Sequence, residues 1–212
     1  MDLLLEVSSS LLDGDEERVA DFTGRALEAG LSPKEILDEG LLAGMAIVSE
    51  RFKAHEIFLP EVLMAAKAMY AGMDKIKPLL AEQGVASRGK IVLGSVRGDL
   101  HDIGKNLVGV MLKGAGFEII DLGNDVAPER FVSAAQEEGA PVIGMSALLT
   151  TTMAAMEGVV NLIEQEGLAG KIKTIVGGAP VSQEFADKIG ADAHGFDAAS
   201  AVDRVNALIS ED

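Results

Sequence analysis

Up to about residue 82, apolar positions recur every three or four residues and read as helices without strands. A short leading segment, Leu3–Leu12, is followed by a helix over Asp15–Ala29. That helix is charged on one side, carries Val19, Phe22 and Ala26 on the other, and stops at Gly30. Ser32-Pro33-Lys34-Glu35 has the form of a capping box with proline in the first turn. The helix it opens places Leu37, Leu41, Met45, Val48 and Phe52 on one face, with Gly40, Ala43 and Gly44 leaving room for a close neighbour. Leu59-Pro60-Glu61 opens the next, whose stripe Leu59, Val62, Leu63, Ala66, Met69, Met73, Ile76 and Leu80 is too long for a strand. Four such helices suffice for a small bundle.

After Gly84-Val85-Ala86-Ser87-Arg88-Gly89 the pattern changes to short apolar runs alternating with amphipathic segments. Strands are expected near 90–96, 118–122, 141–145, 172–176 and 192–194. Helices are expected near 105–114, 128–138, 153–166, 182–189 and 198–209. This alternation implies parallel crossovers and a flavodoxin-like (Rossmann-type) five-stranded parallel α/β domain of strand order 2-1-3-4-5. The expected division is a helical bundle over 1–84, a linker over 85–89 and the α/β domain over 90–212.

Composition removes several function classes. With 34 acidic and 18 basic residues the net charge is −16, which argues against nucleic acid and anionic membranes as partners. There is no cysteine, hence no disulfide, thiolate nucleophile or cysteine-ligated metal. The segment Met1-Asp2-Leu3-Leu4-Leu5-Glu6 lacks the basic region and apolar core of a signal peptide, and no apolar run reaches the length of a membrane span. A cytoplasmic protein is expected.

Chemistry gathers at three predicted strand ends, where an open α/β sheet binds its ligands. The first carries Gly98-Asp99-Leu100-His101-Asp102-Ile103-Gly104, the third Ser146-Ala147-Leu148-Leu149-Thr150, the fourth Gly177-Gly178. Each alone has an ordinary explanation: a surface histidine, a loop-capping serine, a tight turn. Gly104-Lys105-Asn106 resembles the end of a phosphate loop. However, five residues separate Gly98 from Gly104 rather than four, and Asn106 stands where a magnesium-binding hydroxyl belongs. No Gly-x-Gly-x-x-Gly follows the first strand, which argues against a dinucleotide.

Taken together the spacing is specific. Asp99-x-His101-x-x-Gly104, then 41 residues to Ser146-x-Leu148, then 28 residues to Gly177-Gly178, resembles the signature of cobalamin-binding domains that ligate cobalt through histidine. The helical half, with Phe52 and Phe58-Leu59-Pro60-Glu61-Val62-Leu63, resembles the helical cap preceding that domain in methionine synthase. In size and layout the chain is similar to the small methyl-carrying corrinoid proteins of methanogens and acetogens. One departure is His194, where many relatives have tyrosine.

The resemblance implies cobalamin or a related corrinoid as cofactor, with His101 as axial cobalt ligand. Asp99 would accept the second imidazole N–H and Ser146 would continue the relay. Gly98, Leu100, Asp102 and Gly104 would flank that ligand. Ser146, Leu148, Thr150, Gly177, Gly178 and Ala198 would line the slot for the nucleotide tail. Phe52 and Leu59 would cover the upper face of the corrin. The implied function is methyl carriage, by a subunit not catalytic alone. Its implied partners are a substrate:corrinoid methyltransferase for methylamine, methanol or a similar donor, a second methyltransferase using coenzyme M or tetrahydrofolate, and a reductive activase. The alternatives are the cobalamin-binding subunit of an adenosylcobalamin-dependent mutase and a cobalamin-sensing regulatory module.

Overall fold

A computed structural model describes residues 2–82 and 87–210 of the chain. It divides into two compact units, helices before residue 87 and an α/β unit after it. Of the expected linker, Val85 and Ala86 lie outside the described residues.

The first unit contains α1 (Leu3–Leu12), α2 (Glu16–Glu28), α3 (Pro33–Glu35), a π-helical stretch (Ile36–Leu42), α4 (Ala43–Lys53) and α5 (Leu59–Glu82). The expected single helix after Ser32 is thus a continuous rod with a π segment inside it, since Glu35 and Ala43 on either side keep helical dihedrals. Its start is the expected capping box, with Ser32 and Glu35 bonding reciprocally. Gly40 and Gly44 serve close packing on α1: a Cβ at Gly44 would stand 3.2 Å from Ser8 Cα. Val7, Leu11, Val19, Ala26, Ile36, Leu41, Val48, Val62 and Ile76 fill the core. None of the described helices is long and apolar enough to cross a membrane.

The second unit is a five-stranded, all-parallel sheet of order β2-β1-β3-β4-β5. Its strands are β1 (Lys90–Ser95), β2 (Glu118–Asp121), β3 (Val142–Ser146), β4 (Lys173–Gly177) and β5 (Ala193–Gly195). Between them run α6 (Ile103–Gly114), α7 (Pro128–Glu138), α8 (Ala154–Gln165) and α9 (Gln183–Ile189), with α10 (Ala198–Ser210) last. The register puts Ser95 beside Ser146, Ser146 beside Gly177 and Gly177 beside Gly195, so four strands end in one row. This row fixes the edge on which the predicted motifs converge. The sheet is buried by α7 and α8 through Phe131, Met156, Val159 and Ile163. Gly94 on β1 is demanded by that packing, because a Cβ there would come within 2.8 Å of the Phe131 ring.

Candidate functional site

β1 ends at Ser95, and the chain turns at Gly98, whose φ of +84° suits glycine. The turn drops the Asp99 side chain into the protein, where it is fully buried, while His101 returns to the surface with half its side chain exposed. Asp99 Oδ1 accepts from the His101 amide at 3.0 Å and lies 2.8 Å from His101 Nδ1. With Asp99 ionised, that contact makes Nδ1 the protonated nitrogen. Nε2 is then left as a lone-pair donor without a hydrogen-bond partner among the described residues. This is the arrangement by which a carboxylate orients a metal-binding imidazole.

Asp99 Oδ2 receives the Leu148 amide at 2.7 Å, the Leu149 amide at 3.3 Å and the Thr152 hydroxyl at 2.7 Å. Burial alone would raise the Asp99 pKa. The Leu148 amide, the Thr152 hydroxyl and the His101 amide and ring overcome it and hold the carboxyl well below the usual carboxylate range. Asp99 is a buried, fully engaged carboxylate with one of its contacts on the exposed histidine.

The hydroxyl reaching Asp99 belongs to Thr152, where sequence reasoning expected Ser146. Ser146 closes β3, its carbonyl accepting from the Val96 amide at 3.0 Å, and its side chain makes none of the hydrogen bonds to Asp99. The physical reason is the turn after β3. It folds back across Asp99, so the amides of Leu148 and Leu149 and the Thr152 side chain arrive together. The only hint in sequence was the run Thr150-Thr151-Thr152, of which Thr152 alone is buried.

Other expected site residues are distributed along the same edge. Leu100, Leu148 and Thr150 are exposed, Asp102 is half-buried, and a Cβ on Gly104 would meet nothing within 4 Å. Gly177 and Gly178 are required by the chain's own packing. A Cβ on Gly178 would lie 1.9 Å from the Ala147 carbonyl oxygen, and one on Gly177 2.9 Å from that of Gly195. The paired glycines therefore let the loops after β3, β4 and β5 close on one another. Ala198 is buried at the start of α10, behind the reciprocal Asp197–Ser200 cap. His194 Nε2 stands 3.0 Å from the Val181 carbonyl, tying β5 to the loop after β4.

Lys105 is no phosphate ligand in waiting. It is buried, and its Nζ holds both Asp121 oxygens at 2.6 and 2.7 Å. Ser95, also buried, donates its hydroxyl to the His101 carbonyl at 2.6 Å. Both contacts escaped sequence reasoning.

In the helical unit, Phe52 lies one residue before the end of α4 and Leu59 opens α5; both are half-buried. The connection is fixed by a left-handed His55 (φ 57°), with the His55 amide bonded to the Phe52 carbonyl and the Glu56 amide to that of Arg51.

Two family models, each described as a B12 binding domain, match residues 89–204 and residues 3–77. A corrinoid protein of Desulfitobacterium hafniense (strain Y51) is 42% identical over 214 residues, covering 100% of this chain and 99% of that protein. The dimethylamine corrinoid protein of Methanosarcina barkeri is 43% identical, covering 99% and 98%. Among solved structures, the methanol:cobalamin methyltransferase complex MtaBC from Methanosarcina barkeri aligns with a TM-score of 0.88 at 33% identity. That alignment covers 100% of this chain and 81% of the matched one.

Proposed function

Because this chain belongs to the corrinoid proteins of the B12-binding family, we propose that it carries a methyl group on a corrinoid between two methyltransferases. The observation that carries the reading is the pair Asp99–His101: a buried carboxylate holds an exposed imidazole by Nδ1 and leaves Nε2 open at the sheet edge. A bound corrinoid supplies a cobalt that accepts and surrenders a methyl group. His101 would hold that cobalt through Nε2, the ring nitrogen that Asp99 leaves open. Asp99 keeps the proton on His101 Nδ1, and Thr152 with the Leu148 amide keeps Asp99 ionised and immobile.

The rim residues Leu100, Leu148 and Thr150 receive the corrin and its tail, and the Gly177-Gly178 turn keeps that edge low enough for both. Asp102 and Gly104 shape the turn into α6 beside the ligand. To Phe52 and Leu59, the apolar pair at the α4–α5 connection, we assign the exclusion of water and oxygen from a bound methylcorrinoid. We assign donor choice to a first methyltransferase acting on a methylamine, methanol or a similar donor. Transfer to coenzyme M or tetrahydrofolate falls to a second enzyme, and restoration of oxidised cobalt to a reductive activase. An adenosylcobalamin mutase subunit is the weaker reading, since the helical unit matches a B12 model of its own and the relatives match along their whole length.

Reconstitution with methylcobalamin tests the proposal. The protein should retain the corrinoid stoichiometrically through gel filtration. Its methyl group should be lost to coenzyme M or tetrahydrofolate on addition of a methylcorrinoid-specific methyltransferase. A chain that retains no corrinoid, or a bound methyl group that no such enzyme can remove, would overturn it.

A further inference from the structure

The loop between β2 and α7 contains no residue of the sequence motifs, yet it grips the histidine loop at three successive residues. Asp125 Oδ1 accepts from the Gly98 amide at 2.7 Å, and the Asp125 amide donates to the Asp99 carbonyl at 3.0 Å. Asn124 Nδ2 donates to the Leu100 carbonyl at 3.0 Å. Asp125 makes its contacts from a left-handed conformation (φ 54°), adopted among the described non-glycine residues only by it and His55. Aspartate tolerates that conformation better than most residues, but glycine occupies it without cost. A strained aspartate is retained there together with a carboxylate contact that glycine would lack.

The brace has a firm base. The Gly123 amide donates to Asp121 Oδ1 at 2.9 Å, and the same carboxylate holds buried Lys105 at the start of α6. The loop carrying His101 is therefore clamped from the β2 side at Gly98, Asp99 and Leu100, and from β1 by the Ser95 hydroxyl on the His101 carbonyl. The direction of Nε2 follows from where the Asp99 carboxylate and the His101 backbone stand, and those positions are what the clamp holds.

We infer that Asn124 and Asp125 are positioning residues that pre-organise His101 for cobalt, favouring the imidazole-bound over the imidazole-free corrinoid. This rests on the reading that His101 is the axial ligand. An imidazole on a loosened loop must lose more freedom to reach the metal, which weakens its binding without touching the imidazole itself.

The test uses the full chain loaded with hydroxocobalamin at one fixed pH. Cyanide first replaces the upper ligand, then displaces the imidazole to give the dicyano form, which is followed by visible absorption. In Asp125→Gly the backbone conformation is kept and only the carboxylate is removed. In Asn124→Ala a single exposed hydrogen bond is removed. Each is expected to lower the cyanide concentration for the second step about tenfold, the range typical of groups that orient a metal ligand. Asp125→Asn, which keeps an acceptor for the Gly98 amide, should stay near wild type. Wild-type behaviour of both Asp125→Gly and Asn124→Ala would overturn the inference. If Asp125→Gly loses the corrinoid, Asn124→Ala decides alone. Failure of the underlying reading looks different: the wild-type cobalt(II) form would show no nitrogen splitting from isotopically labelled histidine.

Discussion

At Asp99 the protein keeps a carboxylate with no solvent exposure and gives it five hydrogen-bond donors: the amides of His101, Leu148 and Leu149, the Thr152 hydroxyl and the His101 ring. Removing one donor leaves a buried charge short of a partner, which costs about 1–3 kcal/mol. Thr152→Val should lower stability to urea by that amount, and Thr152→Ser should restore most of it; equal stability of all three would separate Thr152 from the network. Gly178→Ala should cost at least about 2 kcal/mol in the same assay, because its Cβ falls inside the Ala147 carbonyl at a positive φ. Asp99 and His101 were legible in the sequence because both lie in one short motif at a strand end. Thr152 was not, because it reaches Asp99 across 53 positions of chain, and only the backbone of the turn selects it over Ser146.

Among the elements, the strands were legible to within one residue: β3, β4 and β5 each begin and end one position later than hydropathy suggested. The final residues, Ser146, Gly177 and Gly195, are polar or without a side chain and join the ladder through backbone pairing alone. The π-helical stretch Ile36–Leu42 was also invisible, since a local change of winding leaves the apolar stripe on either side intact. The Lys105–Asp121 pair links α6 to the end of β2 and predicts a pH dependence. Burial pushes the Asp121 pKa up, but the Lys105 ammonium and the Gly123 amide outweigh it and lower the pKa overall. A lowered folded value means that this contribution is whole above the unfolded aspartate pKa of about 3.9 and fades as pH falls through the folded one. Thermal melts between about pH 5 and pH 2.5 should therefore fall less steeply with acidification in Asp121→Asn than in wild type. Parallel slopes would show that the pair does not couple folding to protons. Asp121 is about half exposed, so solvent screening keeps the difference modest.

For the whole molecule, hydropathy alone separated a strandless helical half from a parallel α/β half, and each half matches a B12-binding model of its own. The sequence could do this because period 3.6 and buried strand runs differ over tens of residues, whereas a brace such as Asn124–Asp125 depends on two loops meeting in space. The proposed role of Phe52 and Leu59, the shielding of a bound methylcorrinoid, makes a prediction for that pair. Replacing both with alanine should leave the lower-ligand spectrum unchanged while methylcobalamin bound to the protein photolyses faster, as a caged methyl radical recombines and an uncaged one escapes. Photolysis at the wild-type rate with the corrinoid fully bound would assign the pair to the helical core alone. The central claim, that an imidazole of this chain ligates cobalt, is tested most directly by electron paramagnetic resonance of the cobalt(II) form. With histidine labelled by nitrogen-15, wild type should show splitting from a protein imidazole that changes with the label and vanishes in His101→Ala. A spectrum identical in wild type and His101→Ala, with corrinoid bound in both, would contradict it.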